Sequence, residues 1–140
     1  NQTEKKGGKN MRIRSAAVLL TIALAATACT MAPIMNVENA PVATASGKSL
    51  SQGEVRAAIL RAGAGLGWLM KDEGPNTIVG TLHLRSHTAV VEIPYSTKDY
   101  SIRYRSSVDL NEADGQIHKN YNGWIQNLTR AINSNLAAAS

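Results

Sequence analysis

Hydrophobic positions along this chain recur with several different spacings, and each spacing predicts a different kind of segment. From Ala16 to Ala28 they are nearly continuous. From Thr30 to Ser49 they lose regularity: Pro33 and Pro41 stand among Ala, Asn, Thr, Ser and Gly47, which predicts a flexible linker. From Ser51 the spacing is helical. Val55, Ala58, Ile59 and Ala62 share one face while Arg56 and Arg61 turn elsewhere. Ser51-Gln-Gly-Glu54 has the form of a capping box, so the helix should start there. Gly63, Gly65 and Gly67 should end it.

From Leu66 the period is two. Four antiparallel strands are expected, at Leu66–Lys71, Ile78–Arg85, Ala89–Tyr95 and Tyr100–Ser106, joined by short turns rich in Asp, Gly, Pro, Asn and Ser. One face collects Ile78, Leu82, Leu84, Ala89, Val91, Ile93, Tyr95, Tyr100, Ile102 and Tyr104. The other carries Thr81, His83, Arg85, Glu92, Arg103 and Arg105. Alternation of this kind describes a sheet covered on one side. The cover is expected from a second helical stripe, Ile117, Tyr121, Trp124, Ile125, Leu128, Ile132 and Leu136. Trp68, Tyr121 and Trp124 read as core. The expected fold class is therefore α+β: a four-stranded antiparallel meander with two helices packed on one face, in the order α-β-β-β-β-α, over residues 50–137. Gly123 interrupts the second stripe at a cost of about 1 kcal/mol relative to alanine, and the pattern supplies no reason for it.

The flanks of the first apolar run change its meaning. Arg12 and Arg14 precede it, and Ala26, Thr27 and Ala28 stand directly before Cys29, the chain's single cysteine. A basic start, an apolar segment and small residues before a cleavage point describe a secretory signal. The run is too short for the roughly 20 residues of a membrane-spanning helix. Small residues immediately before a cysteine resemble a bacterial lipoprotein signal, in which the thiol is acylated and becomes the new N-terminus. Ala26 occupies a position where such signals more often carry leucine. Thr30, a residue other than aspartate after the cysteine, implies transfer to the outer membrane. The expected organisation is upstream sequence at 1–10, ahead of a start at Met11, then a lipoprotein signal peptide at 11–28. A lipidated N-terminus and linker at 29–49 and the domain at 50–137 follow.

Charge and cysteine content follow that division. The formal charge is +5, but five of the fifteen cations precede Cys29 against one of the ten acids. The remainder is nearly balanced, ten against nine, so bulk charge gives no reason to expect nucleic acid. One cysteine rules out an internal disulfide and, in an exported chain, points to a modified thiol.

Candidate chemistry is sparse. His83, Arg85, Arg103 and Arg105 on the open sheet face form a candidate site for a phosphate, a carboxylate or an acidic glycan; the plainer reading is a solvated face partly balanced by Glu92. Tyr100 and Tyr104 alternate to the opposite face from Arg103 and Arg105, which argues against a single-strand nucleic-acid surface. His83 and His87 are separated by an expected turn, and neither they nor His118 belongs to a ligand spacing that completes a metal set. No Gly-x-Ser-x-Gly elbow is present. Gly63-x-Gly65-x-Gly67 follows a helix, whereas a phosphate-binding loop follows a strand. Asp109, Glu112 and Asp114 read as solvated loop acids, and Asn127-Leu-Thr129 as an accidental sequon. No cofactor motif is found.

Gly67-Trp68, the hairpin from Leu82 to Tyr95, Tyr100–Tyr104 and Ile117-His-Lys-Asn-Tyr-Asn-Gly-Trp-Ile125 together resemble small uncharacterised proteobacterial outer-membrane lipoproteins. The resemblance covers Val55 to Leu136. It implies an envelope location and a compact domain, and carries over no catalytic residue. The expected role is a periplasm-facing binding or structural module without catalytic activity. The membrane would be held through acyl chains on Cys29, and the partner would be an envelope protein or peptidoglycan. The alternatives are a small glycan-hydrolase-like envelope enzyme and an anionic small-ligand binder using the basic sheet face.

Overall fold

The computed structural model describes residues 30–139. The segments expected as upstream sequence (1–10) and signal peptide (11–28), together with Cys29, lie outside the described residues. Chain order gives β1 (Met31–Pro33), β2 (Val37–Pro41), α1 (Gln52–Gly65), β3 (Leu69–Asp72) and β4 (Thr77–Leu84). Then follow β5 (His87–Pro94), β6 (Asp99–Val108), β7 (Gln116–His118) and α2 (Lys119–Ala138). The class is α+β, as expected. The sheet is not a four-stranded meander: it has five antiparallel strands in the order β2-β6-β5-β4-β3, and β1 and β7 pair separately.

The stretch read as a linker supplies the difference. β2 adds to the edge of the sheet, with Val37 opposite Ile102 and Pro41 opposite Asp99. A bulge between Val37 and Ala40 places Asn39 at φ 52, and its N–H donates to the buried Ser101 Oγ at 3.0 Å. Asn36 Oδ1 accepts the Tyr104 N–H at 2.9 Å, and Asn122 accepts from Met35 N–H while donating to the Pro33 carbonyl. Beyond β2 the chain stays attached: Val42 N–H reaches the Lys98 carbonyl and Ala45 N–H the Ala137 carbonyl. Ile34, Met35, Val37, Ala40 and Val42 pack on the core half-buried. A segment without hydrophobic alternation is thus ordered by side-chain amides and hydroxyls that satisfy its backbone.

The first helix starts and stops for the local reasons read from the sequence. Glu54 N–H donates to Ser51 Oγ at 3.2 Å, which caps α1. The helix runs through Gly63 to Gly65, and Gly67, at φ +86, turns the chain into β3. Gly63 has a packing role: a Cβ there would stand 2.6 Å from Met70 Cε and 2.7 Å from its Cγ. The Met70 sulfur also lies 3.1 Å from where a Cβ on Gly80 would be, so two glycines hold one thioether between helix and sheet. Ile117, expected as the first residue of the helical stripe, belongs instead to β7, with α2 beginning at Lys119.

The core lies between the helices and one sheet face. Val55, Ala58, Ile59 and Ala62 of α1 and Tyr121, Ile125, Leu128, Ile132 and Leu136 of α2 meet Ile78, Leu82, Ala89, Val91, Ile93, Tyr100 and Ile102. Trp68 is buried as expected. Trp124 is only half-buried, its ring tilted toward His87 at 6.4 Å, and Leu84, expected inside, is 45% exposed at the tip of the β4–β5 hairpin. The His87 contact sets Trp124 beside the same hairpin tip. Among the described residues no helix is long and apolar enough to cross a membrane.

Among the described residues, nothing beyond Gly123's own helix turn lies within 4 Å of the position a Cβ there would take. Gly123→Ala is therefore expected to raise stability by about 0.5–1 kcal/mol, read as a higher urea midpoint. Two buried phenols set an alkaline limit. Tyr100 donates to Asn133 Oδ1 at 2.6 Å, and burial pushes it from its ordinary value of 10.0 up to about 12. Burial also raises Tyr121, whose hydroxyl finds no partner among the described residues and whose ring meets Tyr104 edge-on at 5.6 Å. A phenol raised in the folded state leaves stability intact below its unfolded pKa. That stability is lost as pH climbs through the folded pKa, because the unfolded chain releases the proton first. The urea midpoint should hold to pH 10 and fall toward pH 12, with a shallower fall in Tyr100→Phe.

Candidate functional site

The uncovered face of the sheet is built by the residues that alternate away from the core. Cross-strand register sets Lys71 beside Val79, Val79 beside Glu92, and Glu92 beside Arg103. One step along, Leu69 faces Thr81, Thr81 faces Val90 and Val90 faces Ser106; beyond that, His83 faces Thr88 and Thr88 faces Val108. Between Val90 and Val91 the register with β6 slips, so Arg105 stands in a bulge. Leu69 is 59% exposed and Val108 55%, which gives the face an apolar component that the charged residues concealed in the sequence. Leu69, Lys71, Asp72, Glu73, Val79, Thr81 and His83 line a shallow groove of about 370 Å³ along β3 and β4.

The four candidate ligand residues do not come together as an unpaired basic set. Arg103 makes a two-pronged pair with Glu38 of β2, at 2.9 and 3.0 Å. Its hydrogen bonds and charge hold the Glu38 carboxyl below the usual carboxylate range, and Glu38 in turn raises the guanidinium. Arg105 reaches Glu73 in the β3–β4 turn at 2.7 Å, and Glu73 raises it in the same way. Arg85 is not on the sheet face at all. It occupies the β4–β5 turn at φ 57, exposed, and no ion pair to it forms among the described residues. His83 stays on the open face, its Nδ1 3.1 Å from Thr88 Oγ1. The acids that pair with the two arginines come from β2 and a turn, neither of which alternation could place against β6.

The other two histidines, and Arg56 with Asp72, have local structural partners. His87 Nδ1–H donates to the Asp109 carbonyl at 2.8 Å, which fixes its tautomer, and His118 Nδ1 accepts the Asn120 N–H at 3.2 Å as the cap of α2. Arg56 of α1 pairs with Asp72 at the end of β3, its Nε 2.9 Å from Oδ1. Asp109, Asn111 and Asp114 adopt positive φ in the loop between β6 and β7, a conformation that short polar side chains tolerate. Among the described residues no group of three His, Cys, Asp or Glu is arranged to hold a metal ion. Exposed ion pairs of this kind contribute little to stability, so their effect is on what the face presents to a partner.

The chain matches no family model, and neither the curated proteins nor the solved structures contain a match to it.

Proposed function

We propose that the chain is a lipid-anchored lipoprotein of the outer membrane, facing the periplasm, whose domain is a binding or interaction module for another envelope component. The observation that carries this reading is the order of residues from Met11 to Cys29: basic start, short apolar run, Ala26-Thr27-Ala28, then the single cysteine. Acylation accounts for attachment, because each buried methylene contributes about 0.8 kcal/mol and two or more chains make stable what one leaves marginal. The open sheet face supports the module role. It offers Leu69, Val79 and Val90 among polar neighbours, and two of its arginines already carry acidic partners. Such a face suits a protein surface better than a free anion.

Cys29→Ser is expected to abolish acyl labelling and to release the protein from membranes. Membrane association that persists in the variant, without label, refutes the anchor. A photo-reactive side chain at Leu69 should give a discrete adduct in intact cells, and one at Gln126 on the far side of the helix layer should not give that adduct. Turnover across a panel of envelope glycans would instead favour the hydrolase alternative.

A further inference from the structure

We infer that the surface resting on the bilayer is the outer face of the first turns of α2, formed by Lys119, Asn120, Gly123, Trp124 and Gln126. This rests on the lipid anchor proposed above and adds where the anchor places the domain. The fold begins at once after the cysteine. The Thr30 carbonyl accepts the Lys119 N–H at 2.8 Å, and Met31 is paired with His118. By covalent geometry alone, an acylated Cys29 has its Cα within about 8 Å of that of Met31, since consecutive Cα atoms are about 3.8 Å apart. The headgroup region on each side of a bilayer is of similar depth, roughly 5–8 Å. With no slack between lipid and strand, the surface around Thr30 lies in that region.

The residues there suit the phospholipid headgroup layer. Lys119, Asn120, Asn122, Gly123, Trp124, Gln126 and Asn127 line a shallow depression on the outer side of α2. Lys119 can meet lipid phosphate, the exposed amides of Asn120 and Gln126 can exchange hydrogen bonds with headgroups, and a partly exposed indole is the side chain that favours the boundary between apolar and wet surroundings. Gly123 leaves bare backbone in the middle of this depression, and among the described residues nothing beyond its own helix turn stands near its missing Cβ to account for it. Bare backbone admits a close approach from outside.

The test uses the acylated full chain in vesicles of phosphatidylethanolamine and phosphatidylglycerol whose acyl chains are brominated near the headgroup. Emission is compared between the native protein and Trp124→Phe, so that the difference reports Trp124 against the buried Trp68. Most of the Trp124 emission is expected to be quenched. Inserting about 20 Gly/Ser residues between Cys29 and Thr30, a spacer of about 25 Å, should keep acylation and vesicle binding and restore the emission. Acylated, vesicle-bound native protein with unquenched Trp124 overturns the inference and leaves the anchor standing. Protein that is neither acylated nor vesicle-bound overturns both.

Discussion

Removing residues 30–41 is expected to leave the rest of the domain without a cooperative unfolding transition, or with its stability lowered by about 4–6 kcal/mol. The lost segment contributes half-buried Ile34, Met35, Val37 and Ala40. Fully burying one large apolar side chain is worth about 1.5–3 kcal/mol, so half-burial of three such residues accounts for roughly 3–4. The remainder comes from Ser101, left buried without the N–H it accepts, and from the Tyr104 N–H, left without Asn36. A domain of this size has roughly 5–15 kcal/mol in total, so the loss takes a large share of it. Urea denaturation followed by circular dichroism decides the matter. An unchanged midpoint would restore the linker reading and remove β2 from the working fold.

The second large effect is expected at Gly63. Gly63→Val places a branched Cβ where Met70 now lies, and on the far side the Met70 sulfur is only 3.1 Å from where a Cβ on Gly80 would stand. Overfilling a packed site of this kind costs typically about 1–3 kcal/mol, and the β-branched side chain adds a few tenths in helix propensity. A net loss of about 2–3 kcal/mol is expected, recovered in good part by the second change Met70→Ala, which empties the space. If the double variant is no more stable than Gly63→Val alone, the helix and strand do not meet through this thioether.

Much of the domain could be read from residue order because its signals are local. The capping residue Ser51, the period-two runs around Ile78, Ala89 and Tyr100, and the stripe from Tyr121 to Leu136 each specify their element within a dozen positions. What was missed is held by distant partners. Asn39 depends on Ser101, 62 residues on, and Pro33 on Asn122, 89 residues on, and nothing in the stretch Pro33-Ile-Met-Asn-Val-Glu-Asn39 advertises either contact. The same distance explains the open face. Alternation set Arg103 and Arg105 on the correct side of the sheet, but their acids enter from β2 and from the β3–β4 turn. Arg85 was misplaced by a single residue at the end of β4, where the chain leaves the sheet for the turn.

The two outer strands also decide how copies of this molecule behave when crowded. One border ends in Pro41, which has no N–H to offer a neighbour, and is kinked at Asn39; the other is four residues long and closes on Lys71 and Asp72. Short, bent and charged borders make poor templates for strand-by-strand growth. Dense arrays of this protein should therefore remain separate particles instead of zipping into ribbons.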